Sequence, residues 1–366
     1  MFFKKSHSPD YLLISVIFVL TVAGLVILAS ASSELSRIKF NDSYYYLKHQ
    51  ILFGLSFGLL GFLAAYFIPY KNYRVASFAF LIFSLILLSL VFTQMGVSAG
   101  GASRWLKIGP IVFQPAEIVK LAFILYLAAW LSNPKMNRSG DFWTGFMPFI
   151  LISGFIAAML FLQPATSTVI ILMAAGMTMY FISGAKLSHI AIVIAAGLLA
   201  FTLVILMTPY RLQRITTFFN PQKDITGAAY QIDQSLIAIG SGGLFGVGYG
   251  RSTSKSSYLP DPVSDSIFAV AAEELGFVGA GTLVILFGIF VFRLFWLAKN
   301  LRDKFGQLIL VGFGSLLAFQ SIVNMGAISG LLPLTGVPLP FVSYGGTALA
   351  VLLTTSGITV NISKYV

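Results

Sequence analysis

Ionisable side chains stand within and beside strongly apolar segments at one stretch of the chain. Arg104 and Lys107 follow a pair of glycines, whereas Glu117 and Lys120 lie three residues apart in a predicted helix and so share a face. Ionisable groups inside a membrane span are costly and usually functional. Either Glu117 and Lys120 neutralise each other while Arg104 and Lys107 lie among headgroups, or the three bases form an outward-facing pocket for a phosphate-bearing lipid. We favour the second interpretation.

A carboxylate ends a proline-stiffened segment directly before another apolar stretch. Asp265 occupies the position where a helix N-cap is expected, and a capping role alone would explain it. Its place at the end of a long connection favours instead a functional role beyond capping. Glu273 and Glu274 lie two helical turns deeper, about 12 Å along the axis. A buried acid pair requires a cation, and Lys120 is the nearest candidate in the sequence.

A third segment, residues 330–347, is rich in proline and glycine. This composition predicts a rigid re-entrant loop, and such a loop exists at membrane depth only where protein or water satisfies its backbone. Ser343 is the polar side chain of this segment that we place in the candidate substrate-binding set. The pattern by itself predicts a segment that lines a pore or a pocket.

The composition assigns these residues to a membrane protein. Of the 366 residues, 57% belong to the AVILMFWYC set and 10% are charged, whereas about a quarter of a soluble protein is charged. The net charge of +11 comes from scattered Lys and Arg residues and forms no basic stripe, so we predict no nucleic-acid partner. The absence of cysteine excludes disulfides and thiolate metal sites, and the three His lie in separate segments.

The apolar windows predict an all-α polytopic bundle of about ten transmembrane helices. No linker or repeat divides the chain, so residues 1–366 form one predicted domain, with a long extracytoplasmic connection of about residues 209–265 between helices 7 and 8. The predicted spans are residues 11–31, 50–69, 75–97, 114–132, 146–162, 166–184, 188–208, 266–293, 305–329 and 342–362.

The distribution of basic residues predicts the orientation of the bundle. Loops on the N-terminal side carry twelve Lys and Arg residues, against five in the short loops of the other side. Because basic residues concentrate in cytoplasmic loops, we predict that both termini are cytoplasmic, with residues 209–265 and 330–341 outside. The predicted cytoplasmic set includes Lys71, Lys135, Lys186 and Lys299.

The 209–265 connection is expected to be partly amphipathic and membrane-embedded. It contains two arginines and several polar side chains that we include as candidate substrate contacts. These are Arg211, Arg214, Gln231, Gln234 and Ser241.

Six groups of residues, taken in order, resemble the SEDS proteins, the family that includes FtsW, RodA and SpoVE. They are Gly101 to Trp105 with Gln114 to Glu117 and Lys120; Gln163-Pro164; Tyr230-Gln231 with Gln234-Ser235 and Ala238 to Gly243; Tyr258 to Pro260 with Asp265; Glu273 to Gly276; and Gly330 to Pro333 through Ser343 to Gly346. Single groups are weakly specific, but the ordered set is highly specific.

The resemblance implies a ten-span peptidoglycan glycosyltransferase of the bacterial cell membrane. It implies that the enzyme polymerises lipid II, with undecaprenyl diphosphate as the leaving group, and works with a class B penicillin-binding protein. The family's essential Asp falls on Asp265, the predicted base. Arg104 and Lys120 are our first choices for the diphosphate, and Lys107, Arg211 and Arg214 are weaker ones. No cofactor is certain, although a divalent cation, Mg²⁺ or Mn²⁺, could bridge Asp265 and the diphosphate.

The remaining members of the predicted substrate-binding set come from the same groups. They are Glu117, Gln231, Gln234, Ser241, Glu273 and Ser343.

The chain departs from the family pattern in two places. A valine, Val263, stands where the family usually has His two residues before the Asp, and Ala165 stands where an Asp usually follows Gln-Pro. Ser254-Lys255 resembles FtsW and residues 336–340 resemble RodA, and we favour FtsW. The sequence does not distinguish division from elongation.

Two alternatives stay open at this point. A lipid-precursor flippase would use the intramembrane Glu and Lys residues as a path, although the acidic residues lie mostly on one side. A partner that spans the membrane once is expected on helices 8 and 9, where Gly276, Gly279, Ala280 and Gly281 would allow close approach. Packing within the bundle would explain these small residues equally well.

Overall fold

The structure, a computed structural model, describes residues 7–99, 102–109, 111–133, 140–219 and 227–366. Gly101 and Lys135, which the sequence analysis names, lie outside these ranges. The described ranges contain the following helices, apart from one helical turn at Ser254–Ser257: α1 Tyr11–Phe40, α2 Tyr45–Phe67, α3 Asn72–Leu90, α4 Pro115–Leu131, α5 Phe142–Leu162, α6 Thr166–Ile182, α7 Leu187–Leu206, α8 Pro209–Phe219, α9 Ala228–Ser241, α10 Ile267–Asn300, α11 Lys304–Ile328 and α12 Gly346–Ser363.

Helices occupy all ten predicted span positions. Among the described residues, eight are long and apolar enough to cross a membrane. The other two, α4 and α6, have 17 residues each, at the lower limit of about 17–25 residues for a span. The predicted class, an all-α polytopic membrane protein, is therefore confirmed.

A small antiparallel sheet corrects the predicted third span. Helix α3 ends at Leu90 rather than near residue 97, because the chain turns into strand β1, Gly96–Ala99. β1 pairs with β2, Ala102–Ile108, which pairs with β3, Ile111–Phe113. Leu106 of β2 is fully buried against Leu87 and Val91, so the sheet is attached to the end of α3. These strands are too short to show a clear alternation in the sequence.

Helix α10 is longer than predicted and is broken at Gly276. Gly276 has a φ of 69°, and a Cβ there would lie 2.3 Å from the backbone nitrogen of Gly246, so only glycine fits. The loop after α9 satisfies the backbone groups around the break. Val247 N donates to Glu273 O at 3.0 Å, and Phe277 N donates to Gly243 O at 2.8 Å.

The centre of the bundle is α11, which packs against α4, α6 and α10. In its most apolar window 72% of the residues are buried, against 6% for α7. The core therefore lies around α11 and α12, while α7 lies at the periphery with most of its residues exposed.

Both termini lie at one end of the bundle. His7 N donates to Lys364 O at 2.9 Å, and Asp10 N donates to Ser363 Oγ at 3.0 Å. Arg293, near the end of α10, forms an ion pair with Asp10 at 2.6 Å. Since the spans alternate in direction, the sheet, the described residues of the 207–266 connection and the 330–345 loop share the opposite end.

Candidate active site

A cavity of about 180 Å³ opens at the end of the bundle opposite the termini. Its walls come from β2, α4, the start of α6, the segment before α10, α11 and the loop before α12. The lining residues are Arg104, Trp105, Gln114, Glu117, Lys120, Pro164, Ala165, Thr166, Ser167, Thr168, Ile171, Ser264, Gln320, Thr335, Gly336, Val337, Pro338, Tyr344, Gly345 and Ala348.

Backbone carbonyls hold the guanidinium of Arg104 in the cavity wall. Its Nε donates to Gln163 O at 3.1 Å and its Nη2 donates to Pro164 O at 2.6 Å. The Gln163 side chain is itself buried and donates to Leu88 O at 3.1 Å. The Gln-Pro motif therefore orients Arg104, a role that sequence reasoning missed because the contact is between elements far apart in the chain.

Glu117 and Lys120 form the ion pair that their spacing predicts. The Lys120 Nζ to Glu117 Oε2 distance is 2.8 Å, and each side chain is 7% exposed. Lys120 also donates to Gln320 Oε1 at 3.2 Å, and Gln320 donates to Pro338 O at 3.0 Å. The pair therefore links α4 to α11 and to the proline-rich loop while lining the cavity.

Asp265 and Arg214 converge at the rim of this cavity. A Cβ built on Gly336, which lines the cavity, would lie 3.3 Å from Asp265 Oδ2 and 3.8 Å from Arg214 Nη1. Arg214 Nη1 donates to Leu334 O at 3.2 Å, and Asn324 Nδ2 donates to the backbone oxygen of Asp265 at 2.9 Å. The carboxylate therefore lies beside a fixed cation and next to the cavity.

The expected N-cap role of Asp265 is wrong by one residue. Helix α10 begins at Ile267 and its N-cap position is Ser266. The Asp265 carboxylate accepts a hydrogen bond from Ser264 Oγ at 3.1 Å. Ser266 donates to Pro260 O at 2.8 Å and accepts from Gln231 Nε2 at 3.0 Å. Ser266 therefore forms the turn before α10. The carboxylate of Asp265 accepts from Ser264 and does not cap the helix.

Burial raises the pKa of the Asp265 carboxyl above its ordinary value, and this is the largest influence on it. The hydrogen bond from Ser264 lowers this pKa, the nearby charge of Asp261 raises it, and the charges of Arg214 and Arg104 lower it. A helix N-terminus favours the ionised form of a nearby carboxyl, but burial raises the pKa of Asp265 nevertheless. A base with a raised pKa has a higher proton affinity and hence a greater driving force for proton abstraction.

The proline-rich loop lines the cavity, as predicted, and Ser343 holds it in place. Ser343 Oγ donates to Ser264 O at 2.6 Å and accepts from Leu339 N at 2.7 Å. Asn324 Nδ2 donates to Val337 O at 2.7 Å. These bonds tie the loop to α11 and to the residue before Asp265, so Ser343 has a structural partner on the segment that carries Asp265.

Several predicted contacts lie elsewhere among the described residues. Lys107 is exposed on β2, Arg211 lies over the Phe161 ring at 5.8 Å, and Ser241 donates to Ala238 O at 2.8 Å. Gln234 is half-buried on α9. The structure does not bring these four side chains into the lining of the cavity.

The expected cation for the buried acid pair is also corrected. Lys120 is bound to Glu117, whereas Glu274 pairs with Lys255 at 2.6 Å. Glu273 accepts from Ser252 Oγ at 2.5 Å and lies outside the cavity lining. Sequence spacing could not reveal Lys255 as the partner, because a turn of the long connection brings it back onto α10.

The chain also matches a known protein family. Residues 10–366 match the model of a cell cycle protein family whose members are FtsW, RodA and SpoVE. The chain belongs to this family.

Relatives of the SEDS family match over nearly the whole chain. Stage V sporulation protein E of Bacillus subtilis is 38% identical, covering 99% of this chain and 98% of the relative. A probable peptidoglycan glycosyltransferase FtsW of Geobacter sp. is 35% identical, covering 98% of each. RodA of Thermus thermophilus, a rod shape determining protein, is 27% identical with a TM-score of 0.70, covering 97% of this chain and 96% of that one.

A chain in a solved peptidoglycan synthase complex that coordinates polymerization and crosslinking is similar in fold. It is 27% identical with a TM-score of 0.79, covering 97% of both chains. The FtsW relative is more similar in sequence to this chain than the RodA structure is, in agreement with the expectation that the chain resembles FtsW more than RodA.

One of the two departures from the SEDS pattern has a polar substitute beside it. Val263, at the position of the usual His, is 7% exposed and its carbonyl accepts from Tyr344 N at 2.8 Å. Ala165 lines the cavity with three hydroxyl side chains, and one of these, Ser167, donates to Thr335 O at 2.8 Å. The wall therefore keeps polar contacts without the usual Asp.

Proposed function

We propose that this SEDS glycosyltransferase polymerises lipid II in the cavity described above, with Asp265 as the general base. The substrate of this polymerisation is a disaccharide carried on undecaprenyl diphosphate. The reaction joins a GlcNAc 4-hydroxyl to the MurNAc C1, the C1–O bond to the diphosphate breaks, and the lipid diphosphate leaves. Such a reaction requires a base for the hydroxyl and cations for the leaving group.

One observation carries the proposal: Asp265 and Arg214 converge on Gly336 at the rim of a cavity that also exposes Arg104 and Lys120. A carboxylate and several cations therefore border one space. The 4-hydroxyl proton would pass to Asp265 as the new bond forms, and the partly buried position keeps the carboxylate a stronger base than an exposed Asp.

The cations differ in how well they suit the diphosphate. Arg104 is held in the wall by two carbonyls, and a guanidinium presents a planar set of donors suited to phosphate oxygens. Lys120 is already paired with Glu117, so it contributes to the potential of a cavity whose lining residues carry one more positive than negative charge. We assign Arg104 and Arg214 to direct contact and Lys120 to this second role.

A divalent cation fits the site only with help from the substrate. Among the described residues, no group of three or more His, Asp or Glu side chains could hold a metal ion. Mg²⁺ often takes one or two carboxylates together with substrate phosphates. Asp265 would be the protein ligand of such an ion, which would neutralise charge on the departing diphosphate.

The cavity end of the bundle is assigned to the outside of the cell. The basic-residue distribution supports this orientation, and the cysteine-free sequence allows it to be tested directly. In intact cells, an impermeant maleimide should label Tyr258→Cys, whose parent side chain is 58% exposed, and should not label Lys71→Cys. The reverse labelling would invert the assignment.

A class B penicillin-binding protein is the proposed partner, docked on the lipid-facing side of α10. Phe277 and Phe292 are 72% and 68% exposed there, and a Cβ on Gly281 would meet no atom within 4 Å. A Cβ on Gly279 would instead clash with the Leu275 side chain of the same helix, and Ala280 is 9% exposed, so larger side chains at these two positions would disturb the helix itself. Gly281→Leu should therefore weaken co-purification with the partner without lowering thermal stability.

The decisive assay supplies lipid II to the purified complex of the chain and its penicillin-binding protein. A polymerase should build glycan strands from lipid II in detergent, whereas a flippase should leave it unchanged. Asp265→Asn should remove the product, and Asp261→Asn is the matched control. Asp261 is exposed with a φ of 45°, a conformation that Asn adopts readily.

A further inference from the structure

A second buried ion pair lies outside the cavity, and the proposed reaction does not use it. Lys255 and Glu274 are 5% and 3% exposed, with Nζ and Oε1 2.6 Å apart. Lys255 Nζ also donates to Ser30 Oγ at 2.8 Å and to Gly250 O at 3.1 Å. An ammonium group has three donors, so each has an acceptor.

The neighbouring carboxylate binds the backbone of the same turn. Glu273 Oε1 accepts from Thr253 N at 3.1 Å, and Glu273 Oε2 accepts from Ser252 Oγ at 2.5 Å. Ser30, from α1, donates to Glu274 Oε1 at 2.6 Å. Residues 252–255 are thus fixed at once to α10 and to α1.

The chain from this turn returns to the start of the same helix. Leu259 N donates to Ser254 O at 2.9 Å, Ser266 N donates to Asp261 O at 3.3 Å, and Ile267 begins α10. Residues 252–266 therefore form a closed loop with both ends attached to α10. Asp265 lies at one end of this loop, and Lys255 anchors the other, about two helical turns away.

We propose that the Lys255–Glu274 pair positions Asp265 for catalysis by holding the 252–266 loop against α10 and α1. Lys255 is a positioning residue, because it touches neither the cavity nor the proposed base. This inference rests on the proposed function of Asp265. Misplacement of a reacting group by about 1 Å can cost roughly 100-fold in rate, so a loosened loop should slow turnover while the substrate contact at Arg104 persists.

The main test is the double variant Lys255→Met/Glu274→Gln, which removes both charges and leaves neither ion buried alone. Turnover of lipid II by the complex with the penicillin-binding protein should fall at least about tenfold in kcat, with KM within about twofold of wild type and an unchanged Tm. Wild-type kcat in a folded double variant would overturn the proposal, as would a rise in KM without a fall in kcat.

A control and a milder variant separate positioning from general stability. Asp10→Asn breaks the ion pair with Arg293 at the far end of α10; it should lower Tm and leave kcat unchanged. Ser30→Ala keeps the Lys255–Glu274 pair but removes its link to α1, and should lower kcat severalfold at constant KM. If the double variant does not fold, Ser30→Ala decides: wild-type kcat there overturns the proposal. A kcat loss in Asp10→Asn equal to that of the loop variants also overturns it.

Failure of the proposed function gives a different pattern. If the wild-type complex makes no glycan from lipid II, or Asp265→Asn keeps its activity, the assignment of Asp265 fails. An active wild type, an inactive Asp265→Asn and an unaffected loop variant would reject the positioning role alone.

Discussion

Two buried lysine–glutamate pairs use the same chemistry in two different surroundings. Glu117 and Lys120 lie on one helix and line the cavity. Lys255 and Glu274 join a loop to α10, and the lysine's other contacts are protein oxygens. The difference teaches that the space around an ion pair decides its role: beside a cavity its field reaches a ligand, and within packed protein it fixes the backbone.

Both ion pairs are proposed to support the reaction at Asp265, so replacement of Asp265 should have the largest effect. Asp265→Asn removes the basic lone pair but keeps the size, and should lower polymerisation of lipid II by roughly 10²–10⁴-fold with the fold intact. Glycan product and Tm would be measured beside Asp261→Asn. Polymerisation at the wild-type rate by Asp265→Asn would contradict the proposal that Asp265 is the base, and with it the proposed roles of both pairs.

The cavity pair should differ from the loop pair in substrate affinity. Lys120→Met lowers the net charge of the cavity lining from +1 to 0 and should lower kcat/KM by about 100-fold, with part of the loss in KM. Lys120→Met/Glu117→Gln keeps that net charge and should lose less. Lys120→Arg should retain more activity than the double variant. Steady-state kinetics on lipid II would measure both, and a pure kcat effect would make the two pairs equivalent.

The pH dependence of kcat/KM should report the charges around Asp265. Activity requires the ionised carboxylate, so it is lost as pH falls through the folded pKa, which burial raises. Arg214→Gln removes a charge that lowers this pKa and should move the acid limb to higher pH. Asp261→Asn should move it to lower pH. Identical limbs in both variants would contradict the arrangement at the rim.

The smallest expected effect is a gain in stability. Because the folded pKa of Asp265 lies above the unfolded value of 3.8, the folded state binds more protons between these two values, and stability falls as pH rises through that window. At neutral pH the buried carboxylate therefore costs stability. Asp265→Asn should raise Tm slightly at pH 7, and the gain should disappear below pH 3.8. A lower Tm at pH 7 would mean that the Asp265 contacts outweigh burial.

The sequence predicted those features that depend on near neighbours. Ten apolar windows became helices, and the three-residue spacing of Glu117 and Lys120 became an ion pair on one face. The SEDS resemblance predicted that Asp265 is the essential Asp, and in the structure its carboxylate lies at the cavity rim. Each of these sequence patterns involves residues that are close together in the chain.

Features that depend on distant contacts were missed. In the sequence, Lys255 indicated only a resemblance to FtsW. Its ion pair with Glu274 forms because a turn of the long connection brings Lys255 back to α10. The carbonyls that hold Arg104 come from the end of another helix. The N-cap assignment of Asp265 failed by one residue because the turn formed by Ser266 replaces a regular helix start.

The break at Gly276 divides the longest helix into two mechanical parts. The short part carries Glu273 and Glu274 and continues back to Asp265, whereas the long part carries the exposed Phe277 and Phe292. Hydrogen bonds from residues 243–248 connect the two across the break. Movement of the long part would therefore reach the segment that carries Asp265 through these hydrogen bonds as well as through the break.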